Sequence, residues 1–277
     1  MPITFLNRVR GGSPRAFDAD VLAWRDAVIA NGGPVSLARL IVVDQFVFGE
    51  KAAGLWALTD DYLPLCGENA VQALTSLKQR RLATAVNSPT FTTDRDFVTN
   101  GSTSYIDTGF IPASHGVNWT VSAQRLAVYE RTNVVNAASV SAGAYTGAVN
   151  KGFITNQVGS GMLRGGLNTA DGSPGNFAIS PADSRGLKSV SRAGGGTTML
   201  GYDRGVRLTD ATGLTVSNAS RPTHSVFIGG LNFVGSLTNT RAGAFSFVVL
   251  GGPLSDAQEA AQYANIQALH TAVGAQV

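Results

Sequence analysis

Apolar residues of this chain follow two rhythms, and the change between them divides the sequence. Phe17, Val21, Trp24 and Val28 recur at spacings of four, three and four, which puts them on one stripe of a helix. Ser13-Pro14 offers a capping residue ahead of a proline at the first helical position, and Asn31-Gly32-Gly33-Pro34 ends the pattern. A second helix is predicted over 37–53, with Ser36 as its cap. Leu37, Leu40, Ile41, Val42, Val43, Phe46, Val47 and Phe48 make it apolar nearly all round, so other elements should sandwich it. Gly54 ends it, and 55–62 reads as one or two further helical turns.

From about Pro64 the rhythm alternates. Short strand signals lie at 90–92, 97–98, 105–106, 124–130, 188–191, 198–202, 206–208, 225–229 and 244–250, separated by Gly, Asn and Asp. Asn100-Gly101 predicts a tight turn, and Asp203-Arg204-Gly205 a hairpin loop. A parallel α/β sheet would need a helix after each strand, and none is visible, so the pattern predicts an antiparallel β-sandwich. Ser255 and Gln258 form a capping box, and Tyr263, Ile266, Leu269 and Val273 give the buried stripe of a C-terminal helix.

Composition supports this. Charged residues are only 14% of the 277, against 33 glycines, well below the roughly 25% charge of ordinary soluble domains. A single cysteine excludes an intramolecular disulfide and Cys-rich zinc sites. The net charge of +3 is small, and the arginines are scattered with no run beyond Arg80-Arg81, so no nucleic-acid partner is expected. No apolar stretch reaches the roughly 18 residues of a membrane span, so no membrane insertion is expected. The first twelve residues, MPITFLNRVRGG, lack the apolar core of a signal peptide. Residues 1–13 predict an arm in which Ile3, Phe5 and Val9 alternate beside Arg8 and Arg10. It would be either a mobile basic tail or a strand offered to a neighbouring subunit or an acidic partner.

The segments Phe91-Thr-Thr-Asp-Arg and Asn100-Gly-Ser-Thr-Ser-Tyr-Ile-Asp-Thr-Gly-Phe-Ile-Pro112 resemble the opening of a laminin-G-like, concanavalin-A-like jelly roll found in bacteriophage and prophage virion proteins. Ser225-Val-Phe-Ile-Gly229 and Phe245-Ser-Phe-Val-Val-Leu-Gly-Gly-Pro-Leu-Ser-Asp-Ala-Gln258 resemble its closing strands and terminal helix. Val47-Phe-Gly-Glu-Lys-Ala-Ala-Gly-Leu-Trp56 and Ala73-Leu-Thr-Ser-Leu-Lys78 resemble a helical module that often precedes it. The resemblance implies a virion location as tail fibre, spike, head fibre or capsid decoration. It implies a homo-oligomer, with a trimer favoured, and adhesion to host-surface glycans. Other virion proteins would be met through the N-terminal module. The expected organisation is an arm and helical module at 1–85 and a jelly roll at 86–277.

The sequence carries few signs of catalytic chemistry. The concanavalin-A-like glucanase pattern Glu-x-Asp-x-x-Glu is absent, for Glu50, Glu68, Glu130 and Glu259 are the only glutamates. Asp94 with Asp96 and Asp60 with Asp61 are the close acidic pairs; Asp94 and Asp96 read as solvated turn acids beside Arg95 rather than a glycosidase pair. His115, His224 and His270 fall in three different elements, and Cys66 follows an apolar run. No catalytic, cofactor or metal residue is therefore predicted, although a calcium ion occurs in some laminin-G-like folds. Gly159, Gly161, Gly165, Gly166 and Gly194–196 read as loops or turns. Asn118-Trp-Thr120 and Asn218-Ala-Ser220 match glycosylation acceptors by chance. A sugar would be held by an exposed aromatic ring with hydrogen-bonding neighbours. Trp119, Tyr145, Phe153, Tyr202 and Phe233 fit that description, yet packing is the expected role of each, and none is singled out. The expectation is a non-enzymatic virion protein that displays a mainly β jelly roll. Its rivals are a free lectin, favoured if light scattering shows a monomer, and a polysaccharide depolymerase, favoured if reducing ends are released.

Overall fold

The computed structural model describes residues 16–134, 139–147, 151–157, 161–169, 174–178, 183–216 and 220–277. The predicted arm, Ser13-Pro14, Gly159 and Asn218 lie outside them. In chain order the helices are α1 (Ala19–Ala30), α2 (Leu37–Ala52), α3 (Leu55–Leu58), α4 (Ala70–Leu74), α5 (Pro112–His115) and α6 (Asp256–Val273). The early strands are β1 (Thr59–Leu63), β2 (Thr84–Val86), β3 (Thr90–Thr92), β4 (Asp96–Asn100), β5 (Tyr105–Asp107) and β6 (Gln124–Glu130). The middle strands are β7 (Ala142–Tyr145), β8 (Lys151–Gln157), β9 (Met162–Leu167), β10 (Gly175–Ala178) and β11 (Gly186–Arg192). The late strands are β12 (Leu200–Asp203), β13 (Val206–Arg207), β14 (Phe227–Ile228), β15 (Leu231–Phe233), β16 (Ser236–Thr238) and β17 (Ala242–Gly251).

Two sheets face each other. The first runs β13-β12-β11-β6-β17-β4-β3, with β1 also beside β17; the second runs β10-β9-β8-β7-β14-β5-β2, with the β15–β16 hairpin beside β7. Neighbours pair antiparallel except β15 with β7, which are parallel. The protein is thus a mainly β sandwich with an N-terminal helical part and a C-terminal helix. Leu126 and Val128 of β6 enter the core between the sheets, while Ala127 and Tyr129 meet the helices on the other face. That is why β6 is buried along its whole length. β17 does the same, with Val248 and Leu250 inward and Phe247 and Val249 outward. Phe245 also points inward, and a register shift between Phe245 and Phe247 absorbs the change of phase.

The helical layer follows the sequence pattern with local corrections. Val21, Trp24 and Val28 are buried as predicted, but α1 starts after Asp18, whose side chain accepts from Asp20 N. Ser36 caps α2. This helix is covered by α6 on one side but keeps Leu37 61% and Phe48 53% exposed. Segment 55–62 is not wholly helical: α3 is one turn, and β1 then pairs with β17 from Thr59↔Gly251 to Leu63↔Val248. Both acids of β1 serve backbone donors. Asp60 accepts from the amides of Val117, Asn118 and Trp119, and Asp61 from those of Tyr62, Lys78 and Gln79. Asn100-Gly101 is no hairpin. It carries the chain from the first sheet to the second, and Asn100 Oδ1 accepts from the amides of Ser102, Thr103 and Ser104. Arg204-Gly205 does close a hairpin, with both residues at positive φ (49° and 76°). Ser255 and Gln258 form the capping box.

Among the described residues no helix is long and apolar enough to cross a membrane.

Candidate functional site

Alternation along β7, β8 and β9 decides which side chains reach the outer face of the second sheet. Ala142, Ala144, Ile154, Leu163 and Leu167 point into the core. Tyr145, Lys151, Phe153 and Arg164 therefore point outward. They line a cavity of about 250 Å³, closed by Pro174, Leu231, Phe233 and Asn239.

Glycines shape its floor. The cross-strand neighbours of Phe153 are Gly143 on β7 and Gly166 on β9. A Cβ at Gly166 would lie 2.3 Å from Phe153 Cε1, and one at Gly143 2.6 Å from Phe153 Cβ. Only glycine at these two positions lets the ring lie across neighbouring strands. Gly165-Gly166, predicted as a loop, is thus mid-strand.

One wall is aromatic. β15 runs parallel to β7 with Phe233 opposite Tyr145. Their rings stack with centroids 4.9 Å apart and planes 20° from parallel. Lys151 Nζ lies 5.6 Å from the Tyr145 ring centroid, within the range of a cation–π contact. The hairpin that carries Phe233 turns through Val234 and Gly235, with φ of 50° and 88°. A β-branched residue is strained in that conformation, and such strain clusters at functional sites. Val234 N donates to Tyr145 O (2.9 Å), and Asn232 Oδ1 accepts from Gly235 N (2.8 Å). These bonds hold the tip while leaving Phe233 44% exposed. Arg164 is half-buried, and its Nε is a buried donor with no hydrogen-bond partner. The arrangement offers ring faces for the C–H face of a sugar and polar groups for its hydroxyls.

The other sequence candidates lie elsewhere. Trp119 is fully buried and Tyr202 1% exposed, so both pack inside. Asp94 is the partly solvated turn acid expected, with its side chain 43% exposed, whereas Asp96 is buried at the start of β4. Asp94, in the β3–β4 turn, pairs with Arg39 of α2, and Asp96 with Arg131. Cys66 is buried, which pushes its thiol up to about 12. Asn118 Nδ2 donates to Ala57 O and Asp60 Oδ1. No group of three or more His, Cys, Asp or Glu side chains that could hold a metal ion occurs among the described residues. The three histidines do lie apart: His115 Nδ1 accepts from Ile111 N, His224 meets Thr146, and His270 stacks on Tyr129.

Burial pushes the His270 imidazole down to about 4 from its ordinary 6.5. As pH falls through 6.5 the unfolded chain takes up this proton first. Stability is therefore lost between about 6.5 and about 4 and is level below. That loss is expected to be about 3 kcal/mol. Burial raises the carboxyls of Glu50 and Asp61, which oppose the loss. The informative measurement is urea unfolding of wild type and His270→Gln at pH 7 and pH 4.5. The variant should lose less on acidification, and equal losses would refute this account.

No protein-family profile and no curated protein matches the sequence. Solved structures do. A mutant of Trypanosoma rangeli sialidase displaying trans-sialidase activity matches at 14% identity and a TM-score of 0.54, over 84% of this chain and 40% of that one. Domain 4 of AbnA, an extracellular arabinanase from Geobacillus stearothermophilus in complex with arabinotriose, matches at 10% identity and a TM-score of 0.48, over 74% of this chain and 97% of that one. The Ruminococcus gnavus sialidase CBM40 matches at 14% identity and a TM-score of 0.37, over 51% and 83%. The chain thus spans less than half the length of the T. rangeli enzyme. The first match corrects the expectation of a non-enzymatic chain, because the same sandwich occurs within a sialidase mutant displaying trans-sialidase activity. None of these matches points to a virion. What the chain shares with the T. rangeli structure is the two-sheet antiparallel sandwich.

Proposed function

We propose that this chain binds carbohydrate on the outer face of its second sheet, in the cavity floored by Phe153. One observation carries the proposal. Three aromatic side chains, Tyr145, Phe153 and Phe233, converge with Lys151, Arg164 and Asn239 on a hollow that Gly143 and Gly166 keep open. The fold supports it, since the T. rangeli sialidase shares the sandwich. The phage setting, the attachment role of the helical part and the trimer draw no support from the matches and form no part of the proposal.

Phe233→Ala removes an exposed ring without opening the core. It is expected to weaken glycan binding about tenfold, equivalent to about 1.4 kcal/mol, as read by titration calorimetry with a glycan selected on an array. Unchanged affinity in this variant, or no array binding by the wild type, would refute the proposal.

A further inference from the structure

The geometry points to a carboxylate-bearing sugar, a uronic or a sialic acid residue, as the ligand of this cavity; the inference rests on the carbohydrate-binding reading above. Two of the described lining residues, Lys151 and Arg164, are cations, and none is a carboxylate. The chain's other arginines are mostly satisfied. Arg39, Arg125, Arg131, Arg204 and Arg241 each hold a carboxylate. The backbone of Arg164 is taken up by the sheet, but its side-chain Nε is a buried donor without a partner. Such a donor is costly to leave unmet. A guanidinium presents a planar fork of donors that matches the two oxygens of a carboxylate. Arg164 sits on β9 opposite Thr155 of β8 and Asn176 of β10, one strand from the Phe153 ring. A pyranose stacked on Phe153 or Phe233 would bring a ring carboxylate within reach of this fork.

Lys151 stands beside the aromatic wall. It is 3% exposed, and its Nζ lies over the Tyr145 ring. A hydroxyl-only sugar would leave the Arg164 donors without a charged partner, so the preference should be for the acid.

The test uses the full chain with polygalacturonate and polysialic acid, each beside its carboxyl-reduced form, in affinity electrophoresis. The wild type should bind one acidic polymer about tenfold more tightly than its reduced form at 50 mM salt, the size expected of a charge-assisted pair. The difference should shrink at 500 mM salt. Which polymer is preferred identifies the sugar. Arg164→Gln should abolish the difference yet still bind the reduced polymer. Arg95→Gln removes the same charge from the exposed β3–β4 turn and should leave the difference intact. Equal binding of acidic and reduced polymers overturns the acid preference and leaves sugar binding standing. Persistence of the difference in Arg164→Gln, or its loss in Arg95→Gln, also overturns it. Binding of no polymer in either form also overturns the acid preference, while the array decides sugar binding.

Discussion

Glu259→Ala is expected to destabilise the protein by about 3–5 kcal/mol, the cost of leaving a buried charge without its partner. Glu259 lies in the first turn of α6, and its two oxygens accept from Arg125 Nε (2.6 Å) and Nη2 (2.7 Å). Ser189 of β11 donates to the same carboxylate (3.0 Å). Both side chains of the pair are only 1% exposed. The alanine variant strands the Arg125 guanidinium between sheet and helix, where water cannot replace the lost oxygens. The double variant Arg125→Met, Glu259→Leu fills the same space without charge and should recover most of the loss. Urea denaturation of the three proteins decides the matter. A single variant within about 1 kcal/mol of wild type would mean the pair contributes nothing net.

Trp119→Ala should cost a similar amount, about 3–5 kcal/mol. The indole is fully buried. Its ring fills the space under Gly152, where a Cβ would stand 2.4 Å from Trp119 Cζ2. Its amide donates to Asp60 Oδ2 (2.8 Å), which locks the ring-bearing loop to β1. Indole Nε1 has no hydrogen-bond partner, so Trp119→Phe discards no bond and should keep most of the stability. A denaturation midpoint for the alanine variant equal to that of wild type would refute this packing account.

Elements with strong periodicity were legible in the sequence. The stripes of α1 and α6 and strands β6 and β17 follow from apolar spacing, and the caps Ser36 and Ser255 from residue type at the helix starts. β1 was hidden because 55–62 reads as further helical turns; the carboxylates of Asp60 and Asp61 are spent on buried backbone amides that no local pattern reveals. Strands β7 to β10 were hidden for another reason. Their glycines read as punctuation, whereas Gly143, Gly152, Gly165 and Gly166 are places where a ring or a valine crosses close to the backbone. The candidate site lies on these strands. Its three rings stood among five aromatic candidates; strand parity turns Tyr145 and Phe153 outward, whereas Trp119 is buried from a loop. Arg164 escaped notice, because the signal that marks it, a donor lacking an acceptor, exists only in three dimensions.

β17 occupies the middle of the first sheet, with β6 along one edge and β4 and β1 along the other. During synthesis this slot stays vacant until residue 251 has left the ribosome. Until then Thr59–Leu63 lacks the partner it shares with β17, and α1 and α2 lack the Phe247 and Val249 side chains they cover. The nascent chain therefore carries two exposed sheet edges and an uncovered apolar helix pair through most of translation. Closure waits on a late, long-range pairing of the kind that folds slowly and invites aggregation.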